Sequence, residues 1–129
     1  MAGTLVANTI NTDTGLFSTN NAYSGIAKAW VNFQGGNGNT AGTINGSFNV
    51  SSITVVGTGQ YTVNFATAMP NANFVTVVAG RADYSGSFDN SMAALSRVQA
   101  TTTTTQVVYE STGGSGANPK EMNVLVIGS

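Results

Sequence analysis

The chain has 129 residues, 41% hydrophobic and only 7% charged, with a net charge of −1. That length and apolar content suit one domain with a core and exclude compositional disorder. Lys28, Arg81, Arg97 and Lys120 are spread too widely for a basic patch, which argues against phosphate-driven nucleic-acid binding, and the lack of Cys and His removes thiolate, zinc and haem chemistry.

Residues 1–26 read as an extended N-terminal arm for attachment or assembly, ahead of a β-sandwich domain over 27–129. "GTLVANTIN" has strand chemistry in Leu5, Val6 and Ile10, but "TDTGLFSTNNAYSG" is too polar for a core of its own. Such a segment pairs with its own sandwich or with another chain. It has neither the basic n-region nor the apolar h-region of a signal peptide. No run of about 18 apolar residues predicts a membrane-spanning helix.

"AKAWVNF" reads as the first sandwich strand. Ala29, Val31 and Phe33 suit the core, which leaves Lys28 and Trp30 on the opposite face. The loop "QGGNGNTAGT" follows. In "INGSFNV", alternation predicts Ile44, Gly46, Phe48 and Val50 on one face. "ITVVGTGQYTVNF" reads as a hairpin turning at Gly57-Thr58-Gly59, with Tyr61, Val63 and Phe65 on one face.

"FVTVVAG" and the closing "MNVLVIG" are apolar on both faces; a two-layer sandwich buries only one, so the N-terminal segment or a neighbouring subunit is expected to cover the other. Between them, "SMAALSRV" is expected as a strand with Met92, Ala94, Ser96 and Val98 alternating against Leu95 and Arg97. "TTTTTQVVYEST" then suits a strand with a Thr-rich exposed face. Poor helix formers and recurring short strands together predict an all-β, antiparallel β-sandwich with an extended N-terminal arm. No internal repeat of fixed period is present.

Chemistry-bearing residues are few. Asp13, Asp83, Asp89, Glu110 and Glu121 are the carboxylates, and only Asp83 and Asp89 share a loop, where Asp also serves as a turn residue. "GGNGNTA" has dinucleotide-fingerprint spacing, but a strand rather than a helix is expected after it. No enzyme activity, cofactor or metal is expected. Arg81, Asp83, Tyr84, Phe88 and Asp89, in and beside "RADYSGSFDN", form the best local candidate for a ligand surface, the alternative being that the aromatics plug the sandwich end. Lys28, Trp30, Leu5, Val6 and Ile10 are the candidate assembly residues, with Trp30 as anchor and the Lys28 stem beside it.

The linked motifs "KAWVNF", "SFNVSSI", "GTGQYTVNF" and "AMPNANF", with the closing strand, resemble a module of tailed-bacteriophage appendage proteins, especially fibre-like ones. The resemblance covers Gly25 to Ser129. It implies a virion structural protein made in the host cytoplasm. Its partners would be itself as a homotrimer, other virion proteins and, at exposed tips, host surface glycan, without nucleic acid or membrane insertion. Capsid decoration and a glycan-binding module are the alternatives.

Overall fold

The computed structural model describes residues 9–12, 15–18, 25–35, 42–81, 91–111 and 113–128. Ten strands follow in chain order: β1 Thr9–Thr12, β2 Gly15–Ser18, β3 Ala27–Phe33, β4 Ile44–Phe48, β5 Val50–Gly57, β6 Gln60–Phe65, β7 Val75–Arg81, β8 Ser91–Leu95, β9 Thr104–Ser111 and β10 Glu121–Ile127. β1 and β2 pair as a small hairpin inside the expected arm. The other eight build two four-stranded antiparallel sheets, ordered β4-β3-β10-β7 and β5-β6-β9-β8. The all-β sandwich expected from the sequence is the fold.

The two sheets close on one apolar core. Ala29, Val31 and Phe33 of β3 and Met122, Val124 and Val126 of β10 enter from one side. Ile53 of β5, Tyr61, Val63 and Phe65 of β6, and Val107 and Tyr109 of β9 enter from the other. Period-two alternation on β3, β6 and β10 produces this directly. Phe33 meets Tyr61 edge to face at 5.3 Å between ring centroids, and Phe65 meets Phe74 at 5.6 Å. The buried Tyr61 hydroxyl donates to Gly35 O at 3.0 Å. Among the described residues no buried side-chain nitrogen or oxygen lacks a hydrogen-bond partner.

The β5–β6 hairpin turns at Thr58-Gly59. Gly59 has φ +69°, and a side chain there would strike Tyr109 O and Ala117 O. Its own carbonyl accepts from Tyr109 N at 2.7 Å, so this turn also ties the hairpin to β9.

Three local expectations are corrected. "INGSFNV" is not one alternating strand. Phe33 pairs with Ile44 but Asn32 pairs with Gly46, so Asn45 is an extra, bulged residue. The bulge keeps Ile44 against the core and turns Gly46 and Phe48 outward; Phe48 is 53% exposed. Asn49, at φ 53°, then carries the chain into the other sheet, so Val50 belongs to a different layer.

The strand in "SMAALSRV" stops at Leu95, short of Ser96, Arg97 and Val98. The threonine run is not a strand throughout either. The Thr101 hydroxyl accepts from Thr103 N at 3.2 Å and Thr104 N at 3.0 Å, which makes a side-chain-capped turn. β9 starts only at Thr104, and Thr105 is buried instead of exposed.

Candidate functional site

The two sheets present very different outer faces. Ser, Thr, Asn and Gln dominate on β5-β6-β9-β8. Asn64 Nδ2 donates to Ser52 Oγ at 3.1 Å and Thr54 Oγ1 at 2.9 Å, while Gln106 links Thr62 and Ser96 across the neighbouring strands. A trough of about 480 Å³ on this face is lined by Gln60, Gln106, Arg97 and Glu110 over Val56 and Val108. Met92 and Leu95 of β8 and Val98 after it are exposed as well, so this sheet carries scattered apolar side chains among its polar ones.

The outer face of β4-β3-β10-β7 is apolar. Trp30 of β3 pairs with Phe48 of β4 on one side and Leu125 of β10 on the other, and Leu125 pairs with Val77 of β7. Directly opposed residues share a face, so Phe48, Trp30, Leu125 and Val77 form one continuous row across all four strands. Their exposures are 53%, 42%, 38% and 52%. Exposed Val75 and Ile26 extend the apolar area toward the start of β3. Trp30, Leu125 and Val77 also line a shallow depression of about 290 Å³.

β7 and β10 are the two strands whose second face is expected to be covered by the arm or by a neighbouring subunit. Within one chain the outer side chains of both strands remain open.

Beside the apolar row runs an amide ladder. Asn45 Nδ2 donates to Asn32 Oδ1 at 2.6 Å, and Asn32 Nδ2 donates to Asn123 Oδ1 at 2.6 Å and to Glu121 Oε1 at 2.5 Å. Arg81 Nη1 stands 3.8 Å from Glu121 Oε2 and closes the ladder on β7. Hydrogen bonds from Asn32 and Asn123, followed by the charges of Arg81 and Lys120, hold the Glu121 carboxyl below its ordinary pKa. The Arg81 and Glu121 charges on this face therefore already offset each other within the chain.

The candidate residues divide as follows. Trp30 lies on the outer face opposite the core-facing Ala29, Val31 and Phe33, as alternation predicts. Lys28, two residues earlier on β3, is partly buried. Arg81 ends β7 and belongs to the amide ladder. Asp83, Tyr84, Phe88 and Asp89, and likewise Leu5 and Val6, lie outside the described residues. Ile10 lies in β1, paired with Phe17 of β2.

Phe48, Val77 and Leu125 were not among the sequence candidates, although each completes the Trp30 row. Their only sequence signal is the doubly apolar character of β7 and β10; Phe48 is hidden by the bulge at Asn45. Among the described residues no group of three His, Cys, Asp or Glu side chains is placed to hold a metal.

No family model matches the chain, and neither a characterised protein nor a solved structure matches it.

Proposed function

We propose that this protein is a structural subunit that assembles through the outer face of β4-β3-β10-β7, and that its setting is a phage virion, as a trimeric tail-fibre or tail-appendage component. The observation that carries the assembly reading is the in-register apolar row Phe48–Trp30–Leu125–Val77, continuous across all four strands of one sheet and left open. Contiguous exposed apolar area on one face marks an interaction site. Each of these side chains is already about half buried, so covering it contributes about half of the roughly 1.5–3 kcal/mol of a full burial, before the costs of association. The self-paired Arg81 and Glu121 lower the charge-desolvation cost that such a face otherwise carries.

The virion setting rests on the linked motifs between Gly25 and Ser129. A density map of the particle tests it. Copies on the tail support the appendage role, copies across the shell assign capsid decoration instead, and absence from the particle overturns the virion reading.

The trough on the opposite sheet supports a second reading, a glycan contact. Gln60, Gln106, Arg97 and Glu110 offer donors and acceptors above an apolar floor. Loss of host-surface adsorption in Gln60→Ala or Arg97→Ala, with assembly intact, supports this reading; unchanged adsorption in both removes it.

A further inference from the structure

We infer that the trough on β5-β6-β9-β8 takes a sparsely acidic glycan, with one carboxylate-bearing sugar seated on Arg97 and neutral sugars running on toward Glu110. This inference rests on the glycan reading above and names the class of sugar that the same site takes.

Arg97 is the cation that the chain leaves open. The chain has only four Lys and Arg residues. Arg81 stands against Glu121, and Lys28 and Lys120 each take part in an interaction within the chain. Among the described residues no hydrogen bond or ion pair engages the Arg97 guanidinium. Its planar fork of N–H donors matches a carboxylate with two parallel bonds.

The other polar groups of the trough are open in the same way. Elsewhere on the two sheets the amides are tied to their neighbours, Asn64 to Ser52 and Thr54, and Asn32 to Asn45 and Asn123. The Gln60 amide and the Glu110 carboxylate line the trough with Arg97, and among the described residues neither has a side-chain partner. The floor is apolar. Val108 alternates with the core residues Val107 and Tyr109 and so points to the outer face, yet it is only 8% exposed, with Val56 beside it. An apolar floor under a few convergent polar groups, in about 480 Å³, has the size and make-up of a small-ligand site. A sugar ring fits it chemically: its C–H face packs on Val108 while its hydroxyls reach Gln60 and Glu110.

The two charges set the spacing of charge on the ligand. Ser96 N donates to Gln106 O at 3.1 Å, which places Arg97 at the Gln106 end of the trough. Glu110 follows Gln106 by four residues, about 14 Å along β9. An acid at the Arg97 end is attracted. A second acid at the far end meets the Glu110 carboxylate and is repelled, whereas a hydroxyl there donates to it. One end selects for an acid and the other selects against a second one. The trough therefore favours one acidic sugar among neutral ones, both over a wholly neutral chain and over a chain acidic at every ring.

Titration calorimetry on the full chain tests this with three oligosaccharides of equal length: one neutral, one with a single uronic acid among neutral sugars, and one with uronic acid at every position. The single-acid probe is expected to bind about tenfold tighter than the neutral one, the worth of one charge-assisted contact, and tighter than the all-acid probe. Arg97→Gln is expected to erase the preference for acid over neutral, and Glu110→Gln to tighten binding of the all-acid probe. Equal affinity of the parent chain for the neutral and single-acid probes overturns the acidic assignment and leaves the glycan reading standing. An all-acid probe bound as tightly as the single-acid one, with no change in Glu110→Gln, overturns the selection for sparse charge. Free uronic acid bound as tightly as the single-acid oligosaccharide makes the trough a small-carboxylate site and overturns the glycan as its ligand. Binding of none of the probes overturns this inference and the glycan reading together.

Discussion

The Trp30 indole lies over Gly46 of the neighbouring strand: a Cβ added at Gly46 would stand 3.4 Å from Cη2 and Cζ3 of the ring. The glycine gives the only tryptophan of the chain a flat seat. The far edge of the six-membered ring thus lies against this backbone, and the side chain remains 42% exposed. A methyl group fits this spacing as an ordinary contact and improves the strand propensity of the site. Gly46→Ala is therefore expected to change stability by less than about 1 kcal/mol in denaturant unfolding. Gly46→Phe displaces the ring and is expected to shift Trp30 emission and weaken assembly together.

Asn49 joins the layers where β4 hands over to β5. Its Nδ2 donates to Lys28 O at 3.1 Å and Thr67 O at 3.2 Å, and its Oδ1 accepts from Thr67 N at 2.7 Å. Its φ of 53° is a conformation that Asn tolerates and Ala does not. Asn49→Ala is expected to cost about 3 kcal/mol by urea unfolding, combining lost hydrogen bonds with left-handed strain. Asn49→Gly keeps the backbone freedom and is expected to cost less.

Tyr61 predicts the alkaline limit of stability. The residue is fully buried, and burial pushes its pKa up from 10.0 to about 12. The unfolded chain then releases this proton before the folded one does. The contribution is fully present below pH 10 and is lost as the pH rises toward 12. Tyr61→Phe is expected to flatten that part of the stability profile. It also loses the bond to Gly35 O, at a cost of about 1–2 kcal/mol near neutral pH. An equally steep alkaline loss in Tyr61→Phe contradicts the assignment.

Glu121 acts in the opposite direction. Its folded pKa lies below the ordinary 4.5, first because of the Asn32 hydrogen bond and then because of Asn123. Stability from this group is present above the unfolded value and falls as the pH drops through the folded one. In acid titration, Glu121→Gln is expected to lose less stability below pH 4.5 than the parent chain. Identical acid profiles argue against a stabilising role for the carboxylate in the ladder.

The fold was largely legible because alternation reports directly on a sheet with one wet face. β3, β6 and β10 place Ala29, Val31, Phe33, Tyr61, Val63, Phe65, Met122, Val124 and Val126 inward, with the more exposed Trp30, Asn32, Thr62, Asn64, Asn123 and Leu125 between them. The β5–β6 turn was legible because Thr58-Gly59 interrupts two such runs.

Phe48 was misplaced for a definite reason. A bulge is a mismatch between two strands, so Asn45 carries no mark of it until β3 is laid alongside. The Thr101 turn was missed because threonine's strand preference and its capping hydroxyl make opposite demands on the same residues. The assembly face was only half legible. Trp30 announced itself, but the row joins residues from four strands and depends on the order β4-β3-β10-β7, which no local pattern contains.

The most direct test of assembly through this face is the solvent accessibility of Trp30, the chain's single tryptophan, followed by acrylamide quenching across a concentration series spanning monomer and oligomer. Burial of the row predicts that the quenching constant falls and the emission moves to shorter wavelength as the oligomer forms. Trp30 quenched equally well in monomer and oligomer, with sedimentation showing both species, contradicts assembly through Phe48–Trp30–Leu125–Val77.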